Sequence, residues 1–205
     1  MSQEVLEIVQ GMDRKNIETQ LALQCAPLIA GLKTSNLLIV HKMNLHNIRI
    51  ILKQTDISYK VLLILGDKIT LLLFRANELE AYLSTEAAVG FLMERGYERL
   101  TLSAIVNEFQ TRYRKYMEDG QSFPHEMGLL LGYPLEDVKG FVENQGRDAL
   151  CIGYWKVYRH PAAKQQLFSR FELAKETMIQ LLSNGVSMVD IIDIYRNERL
   201  QRVAV

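Results

Sequence analysis

The chain has 205 residues, of which 48% are hydrophobic and 23% charged, proportions that are ordinary for a globular domain. Its 24 basic and 24 acidic residues give a formal net charge of zero, which argues against a nucleic-acid-binding protein because such proteins carry a basic surplus. Residues 1–4 do not open a signal peptide, the apolar runs are too short to span a bilayer, and two cysteines make no disulfide framework, so we expect a cytoplasmic protein.

The first segment is predicted to be helical. Residues 2–24 have the apolar spacing of a helix, which Gly11 can divide into two pieces. Pro27 is expected to break or restart the helix, because proline cannot donate a hydrogen bond to the carbonyl of residue 23. On that expectation Cys25 lies beside a helix start, where the helix dipole would stabilise its thiolate. The alternative is a small buried hydrophobe, which is the commoner environment of a free cysteine.

The next segments predict a small sheet. Residues 36–41 have the length of a strand, and a helix is expected from Asn44 to about residue 54. Residues 60–65 and 69–74 flank a turn containing Gly66 and form the clearest hairpin of the chain. Both runs are apolar on both faces, which indicates a sheet with helices on its two sides, or the central strands of a sheet.

The rest of the chain is predicted to be mostly helical. Residues 151–158 are rich in aromatic and β-branched side chains and are typical of a last strand of the same sheet. The arginine-bearing tail after residue 195 is expected to fray. Helices are expected to start near Asn77, Thr85, Thr101 or Ser103, Pro161 and Ser187.

These elements predict an α+β fold, a helix-rich single domain around a small, mostly antiparallel sheet. Residues 1–172 form the predicted core, and residues 173–205 form a helical extension. The extension is expected either to pack on the core or to serve in self-association, as a homodimer contact.

The stretch 122–141 combines helix breakers with chemically capable side chains more densely than the rest of the chain. Ser122 is a fair N-cap, and Pro124 suits the first turn of a helix. His125 and Glu126 then fall in that first turn, where the helix dipole favours the carboxylate and the neutral imidazole. A neutral His125 could act as a base or a ligand. The alternative is a tightly turned structural corner in which His125 caps or packs.

A second candidate surface lies on the predicted strand 151–158. The period of two places Tyr154, Lys156 and Tyr158 on one face and Trp155 on the other. A lysine between two tyrosines is more polar than a core face requires. That face either looks into a pocket or lies on the surface.

Three blocks of residues form a distinctive combination. They are Cys25-Ala26-Pro27 with Gly31-Leu32-Lys33 and Ser35-Asn36-Leu37, then Phe123-Pro124-His125-Glu126 through Gly132-Tyr133-Pro134 and Asp137-Val138 to Gly140-Phe141, then Gly153-Tyr154-Trp155-Lys156-Val157-Tyr158. This combination resembles the bacterial family DUF3793, found mainly in anaerobic Firmicutes, over about residues 14–171. The resemblance implies no established reaction or cofactor, and a weak link to iron or redox physiology.

Three functions remain open. In a binding module, Cys25, His125 and Glu126 would hold a small molecule, a metal ion or a tetrapyrrole-like group. In a thiol-dependent enzyme, Cys25 would be the nucleophile and His125 its base, with Glu126 or Asp137 orienting the imidazole. In a structural or interaction protein, the C-terminal helices would pair two subunits. No nucleic-acid or membrane partner is expected. The predicted ligand-binding residues are Lys33, Asn36, Tyr133, Asp137, Tyr154, Trp155 and Lys156.

Overall fold

The computed structural model describes residues 1–53 and 55–203. It confirms the α+β class, with a small antiparallel sheet surrounded by helices. The sheet contains β1 (Ser35–His41), β2 (Ile57–Leu65) and β3 (Lys68–Arg75) in the order β1-β3-β2. The predicted hairpin is formed by β2 and β3, with Leu65 opposite Lys68.

The sheet is covered on both faces, as the two-sided apolar pattern of the hairpin predicts. Seven of the eight residues of β3 are buried because β3 is the central strand. Ile69, Leu71 and Leu73 belong to one hydrophobic cluster, and Leu72 and Phe74 to another. The strand therefore separates two layers of helices.

The first layer is built from α1 (Gln3–Gly11), α2 (Ile17–Ile29) and α3 (Leu45–Leu52). Gly11 does end the first helix. The expected break at Pro27 is wrong, since α2 continues to Ile29. Pro27 lies in the last turn, and its carbonyl accepts hydrogen bonds from the backbone N–H groups of Leu32 and Lys33. The predicted end of α3 at residue 54 lies outside the described residues.

The second layer contains helices that follow the sheet. They are α4 (Ala76–Leu83), α5 (Glu86–Met93) and α6 (Leu102–Asp119). Side chains of α6 cover the outer edge of β2, where Gln110 and Arg114 donate to the carbonyls of Val61 and Leu62. A paired or covered edge protects a strand from pairing with another chain.

The predicted corner is a short turn between two small helices, α7 (Met127–Leu130) and α8 (Leu135–Glu143). The segment 151–158 does not join the main sheet, which corrects the expectation of a last strand. Instead β4 (Cys151–Ile152) and β5 (Lys156–Val157) pair with each other as a separate two-stranded hairpin. The three residues between them leave the ladder, so Tyr154 and Trp155 are placed by packing rather than by strand pairing.

The C-terminal helices are α9 (Pro161–Ser183) and α10 (Met188–Val203). The predicted boundary after residue 172 falls inside α9. Met188, Ile191 and Ile192 belong to the same hydrophobic cluster as α2 and one face of the sheet. Arg199 forms ion pairs with Asp56 and Glu78, so the expected fraying of the tail does not hold at that residue.

Candidate functional site: an aromatic cleft beside the corner

Glycines fix the shape of the corner. Gly132 follows α7 with a φ of +67°, and a Cβ there would lie 2.5 Å from Oγ1 of Thr34. A residue with a side chain would therefore be strained in its backbone and would also clash. Gly140 on α8 is equally constrained, because a Cβ would lie 2.5 Å from Cβ of Tyr158. These contacts hold the corner against the start of β1 and against the β4–β5 hairpin.

His125 and Glu126 form a turn just before α7, which begins at Met127, so the expectation that they lie in the first turn of a helix capped by Ser122 is wrong. The turn points their side chains apart. Glu126 is 3% exposed and turns towards α6. Its Oε1 accepts a hydrogen bond from the Tyr97 hydroxyl at 3.1 Å and one from Nη1 of Arg112 at 3.4 Å. These contacts tie the corner to the helical layer, so Glu126 has a structural role here.

His125 turns into a cleft. Its ring lies 5.4 Å from that of Phe123 and 5.8 Å from that of Phe141, measured between centroids. Its Nδ1 is buried and has no hydrogen-bond partner within the described chain. Burial and the nearby positive charge of Arg95 lower the pKa of His125, against the opposing effect of Glu126. The imidazole is therefore held in its neutral form near pH 7, as the sequence predicts.

The cleft has a volume of about 270 Å³. Its walls come from the segment before α7, from α7 and α8, and from the β4–β5 hairpin. We call it the aromatic cleft, and it is lined by Phe123, His125, Met127, Gly128, Leu131, Tyr133, Asp137, Val138, Phe141, Tyr154, Trp155 and Lys156.

Tyr133 and Trp155 form one wall of the aromatic cleft. Their rings are stacked, with centroids 4.8 Å apart and planes at 26°. Behind them, Phe168 of α9 meets Trp155 edge-on at 4.6 Å. A stack that is supported from behind keeps its orientation without a ligand, so this wall is preformed.

Asp137 fixes that wall rather than offering a free carboxylate. Its Oδ2 accepts from the indole Nε1 of Trp155 at 2.8 Å, and its Oδ1 accepts from the backbone N–H groups of Tyr158 at 2.8 Å and Arg159 at 3.2 Å. Nζ of Lys164 lies 4.0 Å away. Asp137 is only 2% exposed, and these donors offset the cost of burying its carboxylate.

Lys156 and Tyr154 complete the polar groups of the wall. Nζ of Lys156 donates to the carbonyl of Gly146 at 2.7 Å and lies 5.7 Å from the ring centroid of Phe141. The Tyr154 hydroxyl donates its hydrogen bond to Glu172 at 2.7 Å, so its proton is not free for a ligand. The expectation that Lys156 borders a pocket agrees with this position.

Cys25, Lys33 and Asn36 lie together in a different place, against the outer edge of β1. We call them the β1 cluster. The Cys25 thiol is fully buried and donates to the carbonyl of Leu37 at 3.9 Å. Nδ2 of Asn36 donates to the carbonyl of Gln24 at 2.7 Å and contacts the Cys25 sulfur at 3.7 Å. Nζ of Lys33 donates to Oδ1 of Asn36 at 2.9 Å.

Burial dominates the protonation of the β1 cluster. It raises the pKa of Cys25 to about 12, although Asn36 and Lys33 act in the opposite direction. Burial also lowers the pKa of Lys33 to about 8. Cys25 lies in the C-terminal half of α2, where the helix dipole opposes a thiolate, and not beside a helix start. His125 is not among the groups that shift the pKa of Cys25.

The predicted three-residue centre of Cys25, His125 and Glu126 is thus distributed over three environments. Among residues 1–53 and 55–203, no group of three or more His, Cys, Asp and Glu side chains could hold a metal ion. The two regions touch through Tyr133, whose ring centroid lies 5.2 Å from Nζ of Lys33.

Sequence reasoning missed several residues of the aromatic cleft. Phe123 and Phe141 bracket His125 in the structure, and both belong to the central block of the sequence. Phe141 also fits the apolar stripe of α8, which points to the core rather than to a cleft. The signal that could have found them is the aromatic residue at each end of the breaker-rich stretch.

The family comparison covers most of the chain. The model of the family described as "Protein of unknown function (DUF3793)" matches residues 21–192. The chain belongs to this family. The match includes both the β1 cluster and the aromatic cleft, and it continues past residue 171 into α10. No curated protein and no solved structure matches the chain. Within the described part of the chain, the helices are too short or too polar to cross a membrane.

Proposed function

We propose that the protein is a binding module for a small aromatic molecule, and that the aromatic cleft is its site. The cleft itself carries this proposal, because it is a space of about 270 Å³ lined by aromatic rings with the side chains of His125 and Lys156 in its wall.

The walls support a planar ligand. Phe123, Phe141, Tyr133 and Trp155 offer ring faces or edges around one space. Small-molecule sites are mostly apolar with a few placed polar groups, which is the composition of this cleft. Its volume of about 270 Å³ lies just below the usual range of about 300–1,000 Å³, which favours a single small ring system over a tetrapyrrole.

The thiol-enzyme alternative is less well supported by the same residues. A nucleophilic cysteine needs a lowered pKa and access to substrate, whereas the pKa of Cys25 is raised to about 12 and its side chain is fully buried. Cys25, Lys33 and Asn36 instead satisfy the free edge of β1. The link to iron or redox physiology stays a prediction.

Calorimetric titration with naphthamide, a neutral planar probe, tests the proposal. Phe123 is 39% exposed at the rim of the cleft, so Phe123→Ala removes a contact surface at little cost in folding. We expect wild-type binding to weaken severalfold in Phe123→Ala and to be unchanged in Met93→Ala, a matched exposed position outside the cleft. An absence of naphthamide binding, or equal binding by Phe123→Ala, would reject the cleft as the site.

A further inference from the structure

We propose that the aromatic cleft selects a planar ligand that carries a carboxylate, with Lys156 as the counter-charge. This inference deepens the proposed function and rests on it. It concerns the charge of the ligand, for which the residues of the wall give separate evidence.

Lys156 is a cation whose charge is not matched within the described residues. It is half-buried in the cleft wall, and its contacts are the carbonyl of Gly146 and the ring of Phe141. Neither contact neutralises an ammonium group. Lys164, a half-buried lysine near the corner, does have carboxylate partners, in Glu136 at 3.0 Å and Asp137 at 4.0 Å. Lys33 bonds to the amide of Asn36 instead, but it is buried in the β1 cluster and does not line the cleft.

The acidic residue of the wall does not oppose an anion strongly. Asp137 accepts from the Trp155 indole and from two backbone N–H groups, and it lies near Lys164. Because these donors already bond to the Asp137 carboxylate, that carboxylate is not available to pair with Lys156. Lys156 lines the cleft, so it is the cation that a ligand carboxylate would meet there.

His125 contributes a ring to the wall rather than a hydrogen bond. Its imidazole lines the cleft between Phe123 and Phe141, and its Nδ1 is buried away from the accessible surface. The ring of the ligand would lie against Tyr133, Trp155 and Phe141, while its charged end meets Lys156.

The test compares three probes of similar size by calorimetry: naphthoate, naphthamide and naphthylmethylamine. A hydrogen bond to a charged group is stronger than one between neutral groups, so we expect naphthoate to bind at least about tenfold more tightly than naphthamide. Naphthylmethylamine should bind more weakly than either. The advantage of naphthoate should shrink as salt is added.

Two variants assign that advantage to Lys156. Lys156→Gln should bring the affinity for naphthoate down to that for naphthamide, while Lys156→Arg should keep the preference. Lys139→Gln on the exposed face of α8 is the matched control and should behave as the wild type. Circular dichroism checks that each variant is folded. If Lys156→Gln does not fold, the preference for naphthoate is compared between the wild type and Lys156→Arg instead.

The outcomes separate the two proposals. Equal binding of naphthoate and naphthamide by the wild type would overturn the carboxylate inference and leave the binding module intact. A preference for naphthoate that survives in folded Lys156→Gln would also overturn it. Failure of naphthamide to bind would overturn the proposed function, and the inference with it.

Discussion

The β1 cluster and the aromatic cleft contain the same kinds of side chain but use them differently. In the β1 cluster the polar groups of Cys25, Lys33 and Asn36 bond to one another or to the edge of β1. In the aromatic cleft His125 and Lys156 instead line an open space of about 270 Å³. Polar groups that are buried against a strand stabilise the fold, whereas polar side chains beside a cavity are the ones available to a ligand.

The largest expected effect concerns Cys25, whose burial in the β1 cluster should make its thiol unreactive. A rise in pKa from 9.0 to about 12 reduces the thiolate fraction near neutral pH by roughly a thousandfold, and burial blocks access as well. We therefore expect Cys25 in a Cys151→Ser background to be alkylated at least about a thousandfold more slowly when folded than in denaturant. Mass spectrometry of iodoacetamide-treated protein measures both rates. Rapid alkylation that slows in His125→Ala would restore the thiol–imidazole pair.

Removing Asp137 tests whether the wall of the aromatic cleft is held by its carboxylate. Asp137→Ala would leave the Trp155 indole and two backbone N–H groups without their acceptor. We expect the free energy of unfolding in urea to fall by about 3–4 kcal/mol. Glu143→Ala, at an exposed position on the same helix, should change it by less than about 0.5 kcal/mol. A loss in Asp137→Ala no larger than in the control would mean that the carboxylate does not organise the wall.

Lys33 gives the β1 cluster a distinct pH dependence. Its pKa is about 8 in the folded protein and 10.5 as the ordinary value, so between these pH values the unfolded chain binds more protons. The free energy of unfolding should therefore rise as the pH increases from 8 to 10.5, by roughly 3 kcal/mol at most. Urea denaturation across this range measures the rise. Lys33→Met should lack it, and a parallel rise in the variant would assign the effect to other groups.

The smallest effect is expected at His125. Its lowered pKa means that protonation disfavours the folded state, so stability is fully present above about pH 6.5 and is lost as the pH falls through the folded pKa. The wild type should thus lose stability relative to His125→Phe as the pH falls. Thermal denaturation between about pH 7 and 5 measures it, with His46→Phe at an exposed position as the control. An unchanged difference would show that His125 is as well solvated as an unfolded histidine.

The parts of the fold that depend on local pattern were predictable. The hairpin of β2 and β3 and the helices on both sides of the sheet follow from continuous apolar runs around Gly66. The sequence wrongly predicted a break at Pro27, because it does not show how close a proline lies to the end of its helix. The pairing of residues 151–158 also failed, because strand partners are chosen by contacts distant in the chain.

Only some of the residues predicted for a site lie together in the structure, and their role in binding stays a prediction. Tyr133, Asp137, Trp155 and Lys156 do lie around one space with His125. Sequence adjacency suggested that Glu126 works with His125, yet the turn between them sends the two side chains to different layers. Cys25 was grouped with them by its chemistry alone, and chemistry does not show which side of a sheet a residue occupies.

One nuclear magnetic resonance titration tests the central claim most directly. Trp155 is the single tryptophan of the chain, so its indole N–H gives one signal, and that group lies in the cleft wall bonded to Asp137. With ¹⁵N-labelled protein and naphthamide as the probe, we expect this signal to shift saturably and to show nuclear Overhauser contacts with the probe. An indole signal that stays unchanged while the probe binds elsewhere, or does not bind at all, would contradict the aromatic cleft as a ligand site.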